Sequence, residues 1–166
     1  MSAVRMRMGV GFGYCVVAML TAIVYFQMYL ELEACPLCIM QRVVYIGLAL
    51  LFLIAFLHNP GWLGEKIYAG LVVISALTGA GVSAWHVRLQ HLPEDQVPLC
   101  GPGLEYMMEV FSFTEMLQQV FQGSGECADV LWQFLGLSIP GWTLVSFLVV
   151  VVYGVGILFT KKPVSG

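Results

Sequence analysis

Four long runs of apolar residues constrain the fold of this chain more than any other feature. They occupy residues 9–30, 39–57, 67–85 and 142–159, and each is 18 to 22 residues long. A helix of about 20 residues crosses the roughly 30 Å hydrocarbon layer of a bilayer. Because lipid cannot hydrogen-bond a bare backbone, such runs are expected to be helical. The pattern predicts an all-α membrane protein, a bundle of four transmembrane helices that forms a single domain over residues 1–166.

The composition excludes the other broad classes of protein. Only 10% of the residues are charged and 60% are hydrophobic, whereas soluble domains carry about a quarter charged residues. The chain is too hydrophobic to be disordered. Its net charge of -3 lacks the basic excess of nucleic-acid-binding proteins. We therefore expect the lipid bilayer as a partner and no nucleic acid.

The first apolar run raises one alternative, which is a cleaved lipoprotein signal. Arg5 and Arg7 precede the run and Cys35 follows it. However, the run is longer than the roughly 7 to 15 residues of a signal core, and Glu33 stands where the peptidase prefers a small uncharged residue. We expect this segment to remain as the first transmembrane helix.

The basic residues predict the orientation in the membrane. Five of the seven share one side with both termini: Arg5, Arg7, Lys66, Lys161 and Lys162. An excess of Lys and Arg marks the cytoplasmic side. The two outer loops, at about residues 31–38 and 86–141, then face away from the cytoplasm together with nine of the ten acidic residues.

The two outer loops are very unequal in length, and the long one is expected to carry function. Between residues 104 and 121 its apolar residues recur at helical spacing. This periodicity predicts a helix that lies in the plane of the membrane. A small cap that packs on itself is the alternative.

The cysteines are the most informative residues. Cys15 lies within the first helix, while Cys35, Cys38, Cys100 and Cys127 all fall on the outer side. Paired cysteines in an oxidising envelope are disulfides by default, so no metal site is predicted. Four cysteines allow three pairings, of which the spacing favours Cys35 with Cys38 and Cys100 with Cys127. We expect Cys15 to serve as a small apolar residue without a redox role.

The Cys35-Pro36-Leu37-Cys38 motif is typical of an exchangeable disulfide. Closing so short a loop removes little entropy from the unfolded chain and tends to strain the bond, which makes it easy to reduce. Pro36 suits the first turn of the second helix. Cys38 would then lie among the unpaired N–H groups at the positive end of the helix dipole, which favour the thiolate.

Arg42 follows Cys38 by one helical turn on the same face. An ionisable residue at the membrane boundary is a functional candidate, although an Arg that only anchors the helix is the alternative. Its guanidinium would stabilise the Cys38 thiolate and hydrogen-bond a carbonyl of a lipid-soluble acceptor. A quinone fits this role because it consumes the two electrons and two protons that a dithiol releases on closing.

With these motifs the chain resembles the disulfide bond formation protein B (DsbB) family, the bacterial inner-membrane, quinone-linked thiol oxidases. The resemblance covers essentially the whole chain. It is carried by the four-helix layout, the Cys35–Cys38 motif followed by Arg42, Cys100 in the long loop, and residues 124–129 and 132–137.

The resemblance implies a relay that ends on ubiquinone or menaquinone. A periplasmic thioredoxin-fold thiol oxidase of the DsbA type would attack the Cys100/Cys127 disulfide at Cys100. The released Cys127 would attack Cys35 and free Cys38 beside Arg42 and the quinone. This relay keeps the bacterial periplasm oxidising. It implies an inner-membrane protein with cytoplasmic termini and periplasmic cysteines.

The resemblance also implies that His86, at the outer end of the third helix, lies near the quinone. Family members carry an acidic residue before this histidine, whereas Trp85 stands there in this chain. The quinone pocket is therefore expected to differ in detail.

Two other functions compete with this interpretation. One is a vitamin K epoxide reductase-like thiol oxidoreductase, in which the C-x-x-C motif comes late in the chain, whereas Cys35 comes early here. The other is a non-enzymatic tetraspan protein whose outer disulfides are structural. Alkylation after mild reduction distinguishes a structural disulfide from an exchangeable one, because a structural disulfide should resist reduction.

Overall fold

The structure is a computed structural model that describes residues 2–93, 112, 114–115 and 125–160. Within these residues four helical segments are long and apolar enough to cross a membrane: Ala3–Tyr29, Pro36–His58, Trp62–Leu89 and Ile139–Leu158. The predicted four-helix membrane architecture is confirmed. The helices extend past several ends of the apolar runs, because polar residues at the interface join the terminal turns.

The remaining described elements lie between the third and the last long helix. In chain order the elements are α1 Ala3–Leu20, a π-helix Thr21–Tyr29, α2 Pro36–His58, α3 Trp62–Leu89, α4 Gly125–Ala128, β1 Gln133–Phe134, β2 Leu137–Ser138 and α5 Ile139–Leu158. The helix predicted over residues 104–121 falls almost wholly outside the described residues, as does Cys100. The helix and the role of Cys100 therefore remain predictions.

The outer third of the first membrane span is a π-helix. Its wider turns carry i→i+5 hydrogen bonds, such as the one from the Leu30 N–H to the Tyr25 carbonyl at 3.0 Å. Such helices are rare, usually span one turn, and often occur at functional sites. Here nine residues adopt this form, and the segment forms one wall of the cavity described below.

Glycines let the helices approach closely at two aromatic contacts in the core. A Cβ at Gly11 would lie 2.4 Å from the Phe52 ring, and one at Gly79 would lie 2.5 Å from the Phe147 ring. Phe52 and Phe147 are buried in one continuous apolar core. Phe147 also stacks on Tyr45 with ring centroids 4.3 Å apart. These contacts fix α1 against α2 and α3 against α5.

We expect Gly79→Ala to destabilise the bundle by about 1 to 3 kcal/mol, because the added methyl group would overlap the buried Phe147 ring. Gly81→Ala is the matched control, since a Cβ at Gly81 has nothing within 4 Å. Thermal unfolding in detergent measures both. Equal melting temperatures for the two variants would contradict this account of the α3–α5 contact.

Polar groups tie three helices together at the end of the bundle predicted to be cytoplasmic. Arg7 forms a 2.7 Å ion pair with Glu65, which is only 2% exposed. The Tyr153 hydroxyl donates to the Arg7 carbonyl at 2.7 Å. Lys66 donates to the carbonyls of Ile157 and Thr160, both at 2.7 Å. A cation at a helix C-terminus satisfies its last carbonyls and stabilises the helix dipole.

A small β-hairpin, which the sequence analysis did not predict, precedes α5. Gln133 pairs with Ser138 and Phe134 with Leu137 in antiparallel register. The turn residues Leu135 and Gly136 have φ values of 51° and 80°, as two-residue hairpin turns require. The indole of Trp142 donates to the Phe134 carbonyl at 3.0 Å. The hairpin is thereby held against the first turn of α5.

Candidate functional site

The C-x-x-C motif lies at the N-terminus of α2. Cys35 is the N-cap residue, with an extended backbone, and Pro36 occupies the first helical turn. This geometry brings the Cys35 and Cys38 sulfurs to 3.1 Å from each other. Both side chains are partly buried. The pair is therefore arranged to open and close as a disulfide with little movement of the backbone.

His86 contacts the first of these cysteines. Its Nε2 lies 3.6 Å from the Cys35 sulfur, and its Nδ1 lies 3.5 Å from the amide nitrogen of Gln41. His86 is 2% exposed and Gln41 3%. With the Gln41 amide donating to Nδ1, the proton of a neutral imidazole lies on Nε2 and points at the sulfur. The resemblance implied a role for His86 near the quinone, and the structure also places it against Cys35.

Cys127 reaches the same cluster from a distant part of the sequence. It lies on the short helix α4 and is completely buried. Its sulfur, the Cys35 sulfur and a ring nitrogen of His86 all lie within 4.8 Å of one another. Leu37, Val82 and Leu89 pack around Cys35 and Cys127 as an apolar cluster. Cys35 thus has Cys38 on one side and Cys127 close by.

Cys15 lies in a different environment. It is fully buried in the main apolar core with Leu48 and Phe147, whereas Cys35 and Cys127 share the separate cluster just described. Its location agrees with the expectation of a small packing residue.

A cavity of about 460 Å³ opens beside the C-x-x-C motif. Its walls come from the first membrane span, α2, the end of α3, the hairpin and α5, and they are mostly apolar. The polar groups among its lining residues include Cys38, Gln41, Arg42 and His86. Small-molecule sites have this size and character, with a few polar groups in an apolar lining. The cavity has room for a small, mostly apolar molecule with a few polar groups.

The first membrane span holds Arg42 at the cavity wall. One guanidinium nitrogen donates to Gln27 Oε1 at 2.7 Å, and the other donates to the Ala22 carbonyl at 3.3 Å. Both acceptors belong to the π-helix. The sequence analysis did not assign a role to Gln27. Its signal in the sequence is that it is the one strongly polar residue of the first apolar run.

Three hydroxyl groups that the sequence analysis did not single out also line the cavity. The Ser146 hydroxyl is hydrogen-bonded to Tyr45 at 2.5 Å and to Tyr14 at 2.7 Å. All three residues lie on the cavity wall. Tyr45 follows Cys38 by two helical turns on the same face of α2, which is the sequence signal for this residue.

The structure brings five of the six predicted site residues to one place. They are Cys35, Cys38, Arg42, His86 and Cys127. The sixth, Cys100, lies outside the described residues. Trp85, the residue before His86, contacts Arg88, whose guanidinium lies 5.3 Å from the centroid of the indole ring.

Comparisons with known proteins find one family over most of the chain. The family model described as "Disulfide bond formation protein DsbB" matches residues 4–157. Disulfide bond formation protein B of Nitrosococcus oceani is 53% identical over 146 residues, which cover 88% of this chain and 86% of that protein. The Saccharophagus degradans protein of the same name is 54% identical and covers 80% of each chain. The Marinobacter nauticus protein is 43% identical over 91% and 90%.

Proposed function

The chain belongs to the DsbB family of disulfide bond formation proteins, and from this premise we propose that it oxidises a periplasmic DsbA-type dithiol protein and passes the electrons to a membrane quinone. The family match confirms the resemblance seen in the sequence. It assigns a disulfide oxidoreductase activity, and it decides against both the vitamin K epoxide reductase-like class and a non-enzymatic tetraspan protein.

The position of Cys35 is the observation that carries the proposal. Its sulfur lies 3.1 Å from that of Cys38 and within 4.8 Å of that of Cys127. Thiol–disulfide exchange requires a thiolate to attack a neighbouring sulfur. Cys35 is therefore suited to join the loop cysteines to Cys38, which lines the cavity.

The relay then runs in three balanced steps. The partner's dithiol reduces the Cys100–Cys127 disulfide and leaves as a disulfide. Cys127 next attacks Cys35 and releases Cys38, and Cys100 resolves the Cys35–Cys127 bond, so that Cys35 and Cys38 become the dithiol. Closing the Cys35–Cys38 bond finally gives up two electrons and two protons.

His86 and Arg42 stabilise negative charge along this path. His86 Nε2 lies 3.6 Å from the Cys35 sulfur, and in the tautomer protonated at Nε2 it supports a thiolate there. Arg42 lines the cavity one helical turn beyond Cys38. Its planar guanidinium is fixed by the first membrane span, which leaves its charge at the cavity wall as an electrostatic partner for Cys38 and for a carbonyl oxygen.

The cavity suits ubiquinone or menaquinone as the electron acceptor. A quinone supplies the sink for two electrons and two protons when it is bound. The apolar walls exclude water from the head group, and Arg42, His86 and the Ser146 hydroxyl network supply polar contacts. Since quinones dissolve in the bilayer, an opening among membrane-spanning helices gives them a direct route to Cys38.

The chain is a multi-pass membrane protein, and we infer that it is a single domain of the bacterial inner membrane. Its periplasmic side would carry Cys35, Cys38, Cys100 and Cys127. The five basic residues that the sequence predicts on the opposite side support cytoplasmic termini.

An anaerobic assay with purified protein tests the proposed function. A reduced thioredoxin-fold partner is mixed with the protein and with ubiquinone or menaquinone in turn, and the quinone absorbance is followed. We expect one quinone to be reduced for each partner disulfide that forms. Partner oxidation without quinone consumption, or no reaction with either quinone, would contradict the proposal.

We expect Arg42→Ala to raise the KM for quinone about 10-fold or more, because loss of a charged hydrogen bond at the cavity wall costs about 1.5 to 3 kcal/mol. Arg88→Ala is the matched control, since Arg88 contacts Trp85 and is not among the cavity-lining residues. Steady-state kinetics at varied quinone concentration measure both. A KM that is unchanged in Arg42→Ala would limit Arg42 to anchoring the helix.

A further inference from the structure

The cluster at Cys35 has the composition of a metal site as well as that of a thiol relay. Cys35, His86 and Cys127 each offer one ligand atom, and the three atoms lie within 4.8 Å of one another. They come from the start of α2, the outer end of α3 and α4. His86 and Cys127 are buried. Sulfur and imidazole nitrogen are the donors that zinc prefers in proteins.

One distance in the cluster matches an edge of a tetrahedral zinc site, and the other two lie within 4.8 Å. With Zn–S near 2.3 Å and Zn–N near 2.05 Å, the sulfur–nitrogen edge of the tetrahedron is about 3.6 Å and the sulfur–sulfur edge about 3.8 Å. The Cys35 sulfur lies 3.6 Å from His86 Nε2. The Cys38 sulfur lies 3.1 Å from that of Cys35 but outside the three-residue group, so its side chain must change rotamer to become a fourth ligand.

We propose that the reduced protein binds one Zn²⁺ ion through Cys35, His86 and Cys127, with Cys38 as the fourth ligand, and that this ion reversibly arrests thiol exchange. Three cysteine thiolates and one histidine are an established donor set for a closed zinc site. The ion would hold all three sulfurs and leave none of them able to attack its neighbour. Zinc binding is argued from the grouping of Cys35, His86 and Cys127, whereas the arrest of thiol exchange rests on the proposed function.

Gln41 is the residue placed to support a zinc-bound His86 from outside the site. A ligating histidine donates its other ring N–H to an acceptor, which fixes the ring orientation. The Gln41 amide lies 3.5 Å from His86 Nδ1 and is buried. In the structure the amide nitrogen faces Nδ1; a half-turn of the Gln41 amide would bring its carbonyl oxygen there, where it would accept the Nδ1 proton and leave Nε2 free to bind the ion.

Zinc binding is expected to depend on the redox state. Zinc binds thiolates, and a Cys35–Cys38 disulfide offers none. The oxidised protein should therefore lack the site. Because binding displaces protons from the thiols, the affinity of the reduced protein should fall as the pH is lowered.

Zinc titration of the purified full-length protein in detergent tests the proposal without partner or quinone. The protein is reduced, freed of reductant under nitrogen, and titrated with Zn²⁺ against a chromophoric chelator. We expect one zinc per chain in the reduced protein and none in the oxidised protein. Zinc X-ray absorption should report three sulfurs and one nitrogen.

His86→Ala and Cys127→Ser should each weaken zinc binding by more than the roughly 10- to 100-fold that loss of an outer-shell partner costs. His91→Ala and Cys15→Ser are matched controls that should keep the wild-type affinity. Circular dichroism and monodisperse elution verify the fold of each variant, and Cys127→Ser alone suffices if His86→Ala does not fold.

Three results would overturn the zinc site. They are the absence of stoichiometric binding to the reduced protein, equal occupancy of the oxidised protein, and unchanged affinity in a folded Cys127→Ser variant. Under any of these results the oxidase assay described above still stands, since it requires no metal.

Discussion

Cys38→Ser is expected to reduce quinone-dependent oxidation of a dithiol partner to background. Removing a residue that takes part in the covalent exchange leaves no alternative route for the electrons. Cys38 lines the cavity, as Cys35 does, and its sulfur lies 3.1 Å from that of Cys35. Cys35→Ser should be equally inactive. Quinone absorbance under anaerobic conditions measures the loss.

The same variant should also trap an intermediate. With Cys38 absent, Cys35 cannot close its own pair, and the Cys127 sulfur lies within 4.8 Å of it. We expect the free Cys35 thiolate to attack the Cys100–Cys127 disulfide at Cys127 and release Cys100 as a thiol, so that a Cys35–Cys127 disulfide accumulates, which peptide mapping without reduction detects. Cys15→Ser is the matched control, because Cys15 is a buried cysteine of the main core, and it should turn over normally. Normal turnover in Cys35→Ser or Cys38→Ser would refute the assignment.

Cys127→Ser is expected to block oxidation of the protein partner while a small dithiol is still oxidised in part. The protein partner is too large to bring its thiols to the partly buried Cys35 and depends on the loop cysteines. A small dithiol can attack Cys35 directly. Cys100→Ser should behave in the same way, as the relay predicts.

Parallel assays with the reduced protein partner and with dithiothreitol measure this split. The wild-type protein sets the ratio of the two rates, and Cys127→Ser should lower that ratio by about 100-fold or more, as loss of a covalent step does. An equal loss of both activities would contradict the use of two separate cysteine pairs.

The sequence predicted the helical framework well because that framework follows from one strong physical constraint. Long uncharged runs have no stable form in lipid other than a helix. The arrangement at the start of α2 could also be predicted from the sequence. Pro36 and the spacing of three residues from Cys35 to Cys38 and four from Cys38 to Arg42 are local features of one helix.

The parts of the site that depend on contacts between residues far apart in the sequence were harder to predict. Nothing local in the sequence shows that His86 faces Cys35 across 51 positions, or that Gln27 holds Arg42. These contacts follow from how the helices pack. The hairpin at Leu135 and Gly136 lacks the Asn-Gly or Asp-Gly signal of such turns, and its strands are only two residues long. The π-helix likewise has no sequence signature.

The hairpin has a kinetic consequence for the relay. It is fastened to α5 by Trp142 and to α3 by the Ser138 hydroxyl, which donates to Gln90 Oε1 at 2.6 Å. Only the short segment from Cys127 to Trp132 links Cys127 to the anchored hairpin. Fully extended, this segment spans roughly 17 Å. A sulfur confined to such a radius meets Cys35 at an effective concentration of millimolar order or higher. The rate of the attack of Cys127 on Cys35 should therefore be independent of the concentration of the partner. The overall rate of turnover is then limited by binding of the reduced partner and by binding of fresh oxidant.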